Sequence, residues 1–398
     1  MPGAVARGEE FCVTILFESR SIPALRDTEF PIAAEWAYLN HAYQSPNPLR
    51  AIAAIQDRVT FAQRPYLHFP EHEQALDEIK RHLSGMTGFA PSQFALLTNV
   101  GDATTTLASG LDLNPGDEII LLESEFPTFV FPWRIQEHRS ARCIFVPKNG
   151  ITVDLNRVEA AITDHTRVVV VSHVDFLSGY KNDIASLGRL CRERGIYLFL
   201  DTSQALGVLH TDYAALGVAG IVSVGFKWLM GLHGLSVLGI ADWAIDAITP
   251  TIPGRNGMTD DWMHGDFELN FLPDARKYQN GNLNWMAVWG MAASLSLHEE
   301  VGYANVESLA MAMRQRLVDG LKQRDVEITS DLDPAHASTI VTFAMGSPRE
   351  TESFVAAAAE QNISLTFRNG WVRSAVHFWN DASDIDRLLA FIDAYRLD

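Results

Sequence analysis

Short apolar runs alternate with helical stretches from Phe94 onward, and this alternation limits the folds that the chain can adopt. The runs at residues 94–97 and 118–122 are apolar almost throughout, rather than at every second position. Such strands are buried on both faces, as in a parallel sheet that helices cover on each side. Further strands are predicted at 141–146, 168–171 and 196–200, with helices at 103–111 and 187–194. The pattern predicts an α/β fold with a mainly parallel sheet.

A second, smaller unit is predicted after this sheet. Residues 285–298 have the length and spacing of a long helix, which would link the two parts of the chain. Strands are expected at 339–343 and 364–367, followed by an amphipathic helix at 383–395. At 398 residues the chain is long enough for one large domain and one smaller domain.

Composition argues against several classes of partner. The formal net charge of −18 disfavours nucleic acid and anionic membranes, because either partner needs a basic face. Cys12, Cys143 and Cys191 have neither metal-ligand spacing nor the density of a disulfide framework, which favours a cytoplasmic location. The apolar patch at residues 11–17 is too short to span a membrane and follows two glutamates, so no signal peptide is expected. The histidines are dispersed, and no metal site is predicted.

One acid and one lysine follow two of the apolar runs. Asp201 comes directly after residues 196–200, and Lys227 comes after residues 219–226. Pyridoxal phosphate (PLP) needs such a pair, because a lysine amine holds its aldehyde as a Schiff base and a carboxylate keeps its pyridine nitrogen protonated. Apolar neighbours favour the uncharged lysine amine that this chemistry requires. An isolated lysine after a core strand is more often a surface residue, but Asp201 makes a PLP site the better interpretation.

Three further segments fit the same site, although each has an ordinary structural interpretation. Residues 99–105 lie between a strand and a helix, where backbone N–H groups and the helix dipole bind anions such as phosphate. Gly101 permits close approach there, and Thr104 offers a hydroxyl. Phe126 can stack on a pyridine ring, and Gln204 can reach its phenolic oxygen. The alternatives are turn and capping residues for the first segment and a core position for the aromatic ring.

Four residues are candidates for contact with a substrate. Arg373 can hold a carboxylate through its bidentate fork, although an arginine among aromatics can instead cap a helix. His173 follows a strand and His233 follows the lysine, so either can move protons during a reaction. Tyr180 is a further candidate for contact with the substrate. A single histidine is more often structural than catalytic.

The order of these segments resembles the class V aminotransferase family of fold type I PLP enzymes, which includes cysteine desulfurases, kynureninases and isopenicillin N epimerase-like proteins. The resemblance extends over nearly the whole chain, from Tyr38 to Asn380. It implies a large domain with a mainly parallel, seven-stranded sheet and a smaller α+β C-terminal domain. The implied divisions are an N-terminal arm at 1–40 that joins the small domain, a large PLP-binding domain at 41–280, and a linking helix with the small domain at 281–398.

The motifs that carry this resemblance are Gly101-Asp102-Ala103-Thr104, Asp201-Thr202-Ser203-Gln204, Lys227-Trp228-Leu229 and Val372-Arg373-Ser374. By position, Lys227 is the implied Schiff-base lysine and Asp201 the partner of the pyridine nitrogen. Gln204 matches the contact to the phenolic oxygen, and Arg373 matches the arginine that binds the substrate carboxylate. The family forms homodimers with shared active sites. The other implied cofactor contacts are Gly101, Asp102, Ala103, Thr104, Phe126 and Ser223, with Asn282 in a loop that reaches the neighbouring subunit.

Two departures from the family bear on the reaction. Many relatives have His or Tyr before the lysine, whereas this chain has Phe226, which cannot hydrogen-bond a phosphate, so Ser223 or Asn282 is expected to compensate. Cysteine desulfurases need a mobile cysteine late in the chain, and none follows Cys191. The expected function is an aminotransferase acting on an amino-acid-like substrate. A lyase of the kynureninase or carbon–sulfur type and an epimerase are the alternatives, and a nonenzymatic regulator ranks last.

Overall fold

A computed structural model describes residues 21–63, 69–259 and 268–397, with the side chains of residues 69–71 left out. The strands are β1 (Ala37–Tyr38), β2 (Phe94–Leu97), β3 (Glu118–Leu122), β4 (Arg142–Val146), β5 (Thr166–Ser172), β6 (Tyr197–Asp201), β7 (Gly220–Val224), β8 (Ser236–Ile240), β9 (Ile340–Phe343), β10 (Ile363–Ser364), β11 (Thr366–Arg368) and β12 (Trp371–Ala375). The α-helices are α1 (Ile22–Glu29), α2 (Leu49–Phe61), α3 (Phe69–Thr87), α4 (Val100–Gly110), α5 (Pro127–Arg134), α6 (Leu155–Ala161), α7 (Ile184–Glu193), α8 (Asp242–Ile245), α9 (Trp285–Val301), α10 (Tyr303–Lys322), α11 (Pro348–Glu360) and α12 (Ala382–Tyr395).

Seven strands form the large sheet in the order β2-β8-β7-β6-β5-β3-β4. The pairs from β7 through β4 are parallel, whereas β8 runs antiparallel to both of its neighbours. The predicted α/β fold with a mainly parallel, seven-stranded sheet is confirmed. In such a sheet the carboxyl ends of the parallel strands meet at one edge, which is where ligands bind in open α/β folds. β6 ends at this edge with Asp201, and β7 leads the chain to Lys227.

Both faces of the sheet are buried, which explains the apolar runs in the sequence. On β5, Val169 and Val171 pack into one hydrophobic cluster, and Val168 and Val170 pack into another on the opposite face. All four valines are almost completely buried. A polar residue at either set of positions would therefore enter a core, so the strand is apolar at every position.

A smaller sheet assembles from distant parts of the chain. β11, β12 and β9 form an antiparallel sheet of three strands, and β1 pairs with β10 in parallel. Residues near the start of the described chain therefore lie against its C-terminal part. The predicted arm at 1–40 lies partly outside the described residues, and the division into three segments stays a prediction. None of the described helices has both the length and the apolarity to cross a membrane.

The turn that carries Lys227 is anchored through the next residue, Trp228. Its buried carbonyl oxygen accepts hydrogen bonds from His298 Nε2 and His377 Nε2, both at 3.0 Å. Its indole Nε1 donates to Gln204 Oε1 at 3.0 Å. Burial lowers the pKa of both histidines, so each donates as a neutral ring. Helix α9 and the segment after β12 thus hold the lysine-bearing turn.

Replacing Gly188 with alanine is expected to destabilise the protein. Helix propensity alone predicts that Gly→Ala in α7 adds about 0.5 to 1 kcal/mol of stability. A Cβ at Gly188, however, would overlap the backbone carbonyl oxygen of Leu216. We expect the steric overlap to outweigh the gain in helix propensity and to lower the free energy of unfolding, measured with denaturant, by about 1 to 3 kcal/mol. Gly281→Ala, whose Cβ would meet no atom within 4 Å, is the control, and a stabilised Gly188→Ala variant would contradict this packing.

Candidate active site

A cavity of about 410 Å³ opens at the carboxyl edge of the large sheet. Strand ends, the start of α4, the segment before α5 and the β11–β12 hairpin all contribute to its walls. Six of the candidate site residues line it, namely Phe126, Asp201, Gln204, Lys227, His233 and Arg373, and so does Phe226. Residues that are up to 247 positions apart in the chain therefore meet in one chamber.

Lys227 has the electrostatic environment that the sequence predicted. Burial lowers the pKa of its amine to about 8, and Arg373 and Arg368 act in the same direction, whereas Asp201 opposes them. Among the described residues, Nζ has no hydrogen-bond or ion-pair partner, and it lies 5.9 Å from the centre of the Phe126 ring. With a pKa of about 8, about a tenth of this amine is uncharged at pH 7 and about half at pH 8, and the uncharged form is the one that acts as a nucleophile or base.

Asp201 lies at the deep end of the cavity. Burial raises the pKa of its carboxyl group, while hydrogen bonds from Ser203 and the charge of Lys227 oppose that effect. Oδ1 accepts a hydrogen bond from the Ser203 backbone N–H at 2.8 Å. In the sheet, Asp201 pairs with Ser172 on one side and Val222 on the other, so the strand ladder fixes its position. A buried carboxylate is stabilised by a cation beside it, so Asp201 is suited to pair with a protonated pyridine nitrogen.

Phe126 supplies an aromatic wall. Ser124 adopts a left-handed φ of 62° and turns the chain between β3 and α5, which brings Phe126 to the cavity. The ring meets Phe176 edge-on, with centroids 5.2 Å apart. Its exposed fraction of 41% is large for such a residue, so one face is free to stack on a ligand.

Gln204 has a larger structural role than the sequence indicated. Its Nε2 donates to the carbonyl oxygen of Ala42 at 3.0 Å, and its Oε1 accepts from Trp228. The amide carries a second N–H hydrogen that is open to a ligand oxygen. Gln204 thus links the Lys227 turn to the segment after β1 while lining the cavity.

The start of α4 has the form of an anion site, but with different side chains from those predicted. Asn99 caps the helix by accepting from the Asp102 N–H at 3.0 Å, and Asn99 and Val100 line the cavity. The first N–H groups of a helix have no partner within it and point outward. Thr104 is fully buried outside the lining and donates to the Val100 carbonyl oxygen at 2.8 Å. Asn99 lies in the predicted segment 99–105, and an asparagine between a strand and a helix is the sequence signal for this cap.

The other residues of this loop have mainly local partners. The Asp102 carboxylate accepts from Asn99 Nδ2 at 3.0 Å and from the Thr98 hydroxyl. A Cβ at Gly101 would lie 2.9 Å from Asn99 Oδ1 and 3.4 Å from a Thr128 methyl carbon, so glycine suits this close approach. Ala103 is fully buried, and its N–H donates to the Asn99 carbonyl oxygen. The roles of these residues toward a phosphate stay predictions.

Arg373 and Arg368 form the cationic wall of the cavity. Arg373 is 2% exposed, donates from Nη1 to the Phe176 carbonyl oxygen at 2.6 Å, and has a buried Nε with no partner among the described residues. Burial and the nearby Arg368 lower its pKa to about 10, so it stays charged at neutral pH. A buried guanidinium with an unused N–H is suited to a carboxylate ligand.

His173 and Tyr180 lie outside the lining of this cavity. His173 faces a separate groove, and its Nδ1 is 2.7 Å from the Tyr213 hydroxyl. Burial lowers the pKa of its ring to about 3, which leaves it neutral. Tyr180 stacks on His336, with ring centroids 4.6 Å apart. Neither side chain lines the Lys227 cavity, although the His173 backbone N–H donates to the Asp201 carbonyl oxygen at 2.9 Å, and their roles toward a substrate stay predictions.

The remaining predicted residues differ in their relation to the cavity. His233 lines it, stacks on Phe226 with centroids 4.0 Å apart, and has Nε2 3.2 Å from Gln44 Oε1. Ser223 is buried outside the lining, and its hydroxyl donates to the Val224 carbonyl oxygen at 3.4 Å. Asn282 is exposed, as a contact to a second subunit requires, although this contact stays a prediction.

The residues present fit PLP. One chamber combines an amine of lowered pKa, a buried carboxyl group, a capped helix start and an aromatic ring. These are the groups that bind an aldehyde, a pyridine nitrogen, a phosphate and a flat ring. In the part of the chain that the structure describes, no group of three or more His, Cys, Asp or Glu side chains is placed to hold a metal ion.

Residues 38–387 match the model of the family described as Aminotransferase class-V. The chain belongs to this family. A probable cysteine desulfurase from Methanothermobacter thermautotrophicus is 24% identical over 93% of this chain and 95% of the relative. An uncharacterized aminotransferase, YcbU, from Bacillus subtilis is 22% identical over 89% of this chain and 93% of the relative.

Solved structures agree with this fold. A complex of the cystine C–S lyase C-DES with its reaction product, cysteine persulfide, has a TM-score of 0.84 at 23% identity and covers 92% of this chain and 99% of that one. A C-DES variant with glycine covalently linked to its PLP cofactor has a TM-score of 0.83 at 24% identity and covers 92% of this chain and 98% of that one. The family resemblance and the PLP cofactor predicted from sequence are confirmed, and the protein is a PLP-dependent class V enzyme.

Proposed function

We propose that this enzyme is a PLP-dependent carbon–sulfur lyase that releases sulfur from an amino acid in a small-molecule product. The observation that carries this proposal is a cavity with the groups for PLP chemistry but no thiol among the described residues that line it. Cys143 lies on β4 and Cys191 is buried in α7, and burial raises the pKa of both thiols to about 12. Neither is suited to accept sulfur, because the thiolate is the reactive form.

The relatives support a lyase in different ways. The cystine lyase is named with cysteine persulfide as its product, so its sulfur leaves in a small molecule. The probable cysteine desulfurase also acts, by its name, at a carbon–sulfur bond. A desulfurase that passes sulfur to a protein thiol needs a mobile cysteine, and this sequence has none after Cys191. Release of sulfur in a small molecule therefore agrees with both the comparisons and the cavity.

In this proposal four cavity residues have defined roles in the reaction. PLP supplies an electron sink for the carbon atoms of a bound amino acid. Lys227 would hold the cofactor, and its uncharged amine would take the α-proton of the substrate. Asp201 would pair with the protonated ring nitrogen, and Phe126 would stack on the ring. Arg373 orients the substrate through its carboxylate.

An aminotransferase is the second candidate. The description of the matching family and the name of the Bacillus relative favour it, and it was the function expected from sequence. Both reactions begin with the same proton transfer at Lys227. They differ in whether a leaving group departs from the β-carbon, which product analysis resolves directly.

The deciding experiment incubates the holoenzyme with L-cystine, and separately with L-alanine and a 2-oxo acid. We expect cystine and water to yield pyruvate, ammonia and cysteine persulfide without any 2-oxo acid. Persulfide is measured as thiocyanate after cyanolysis, and pyruvate by a coupled assay. Two results together would establish a transferase instead. The amino acid would convert the cofactor to an amine form that only a 2-oxo acid returns to its starting form, and cystine would yield no pyruvate. The Lys227→Ala variant is the inactive control for both reactions.

The attachment of PLP to the apoenzyme should depend on pH through Lys227. Only the uncharged amine attacks an aldehyde, and the pKa of this lysine in the folded protein is about 8. The attachment rate is therefore expected to rise with pH and to level off above about pH 8, as followed by stopped-flow absorbance. A rise that continues to about pH 10, as for an unperturbed lysine, would contradict the lowered pKa.

Arg373→Ala is expected to raise the KM for carboxylate substrates about 30-fold to 1,000-fold, or by about 2 to 4 kcal/mol, because one partner of a buried charged pair is removed. Cystamine, which is cystine without its carboxylates, is the matched control. Its KM should be nearly the same in the wild type and the variant. An equal loss for both substrates in steady-state kinetics would assign Arg373 a structural role.

A further inference from the structure

A buried carboxyl group lies directly behind the aromatic wall of the cavity. Glu125 precedes Phe126 and is 6% exposed. Its Oε1 accepts from the Ser172 N–H at 3.1 Å, and its Oε2 accepts from the Ser172 hydroxyl. Ser172 is the residue of β5 that pairs with Asp201 of β6. Glu125 thus ties the segment that carries Phe126 to the strand ends that carry the acid of the site.

A second acid and one lysine complete this buried network. Lys148 forms an ion pair with Asp175, and their side chains are 8% and 7% exposed. Asp175 Oδ1 accepts from the backbone N–H groups of Leu177 and Ser178 at 2.9 and 2.7 Å. These bonds shape the turn whose Phe176 carbonyl oxygen receives Nη1 of Arg373. The network therefore supports the residues on two walls of the cavity.

The charges of the network depend on pH near neutrality. Burial raises the pKa of Glu125 to about 7, and Asp175 adds to this effect, whereas Lys148 and the two Ser172 bonds oppose it. When Glu125 is ionised, both of its oxygens accept hydrogen bonds, which matches the two donors of Ser172. A proton on either oxygen occupies one acceptor position and removes the charge that faces Lys148. The ionised group therefore satisfies both donors of Ser172.

We propose that Glu125 is a positioning residue: in its ionised form it holds Phe126 and the Ser172–Asp201 strand ends in register, with Lys148 balancing its charge. The inference rests on the proposed site around Lys227 but not on the choice between lyase and transferase. Glu125 does not line the cavity, so it acts through its neighbours and touches neither substrate nor cofactor.

The test compares the holoenzyme with its Glu125→Gln variant between pH 6 and pH 8.5. Below pH 7 the wild-type carboxyl group is protonated and resembles glutamine, so kcat/KM for the two proteins should be nearly equal. Above pH 7 the wild type should be faster by about tenfold, because misplaced groups slow the reaction. Visible circular dichroism of bound PLP provides a readout without turnover. Its signal should change with pH through about 7 in the wild type and stay constant in the variant.

Three further measurements separate this role from a general effect on folding. The folded pKa of about 7 exceeds the ordinary value of 4.5, so wild-type stability relative to Glu125→Gln should fall as pH rises from 4.5 to 7 and then level off. Glu125→Asp keeps the charge and should restore the pH dependence of the dichroism. Glu123→Gln removes an exposed carboxylate two residues away and should change nothing.

The proposal would be overturned if the ratio of wild-type activity to Glu125→Gln activity is constant with pH and the dichroism of the wild type does not change with pH. If no reaction is detected with any substrate, the dichroism and stability measurements still decide the role of Glu125. Failure of the lyase assay and failure of this inference are therefore distinguishable. Equal effects of Glu123→Gln and Glu125→Gln on activity and dichroism would also reject the positioning role of Glu125.

Discussion

The hydrogen bonds to the Trp228 carbonyl oxygen are the constraint on which the site depends. The lysine-bearing turn belongs to no helix or strand, so its buried backbone groups need partners from elsewhere. His298 of α9 and His377 after β12 supply them, and Gln204 secures the indole ring. The position of Lys227 is therefore set by both the large sheet and the C-terminal part of the chain.

Burial then sets the chemistry of the groups that meet in the cavity. It lowers the pKa of Lys227 and Arg373 and raises that of Asp201 and Glu125. Each shift favours the neutral form, because a low-dielectric environment penalises charge. Neighbouring charges limit the shifts, and Arg373 stays cationic while Lys227 becomes partly neutral. These shifts make the lysine suited to act as a base and leave the arginine charged, as the binding of an anion requires.

The sequence predicted most of the large sheet because its strands are buried on both faces. β2 and β3 have the predicted bounds, and β4, β5 and β6 begin or end within two residues of them. Helix α10 was missed, although it has 20 residues. The β11–β12 hairpin was also missed as a unit, because a pairing of short strands leaves only a weak pattern in the sequence. For the C-terminal part, the pattern predicted the long helix, two strands and the final helix, and the family resemblance supplied the division into domains, which stays a prediction.

The sequence by itself determined the α/β class, the Lys227–Asp201 pair and the family, since these depend on residue type and order. Only the tertiary structure showed that Thr104 and His173 lie outside the cavity lining, that Asn99 caps the helix at its edge, and that the buried Glu125 bonds Ser172 beside Asp201. The reason is geometric. A side chain's neighbours depend on packing between segments that are distant in the chain, and an isolated sequence pattern carries no record of those contacts.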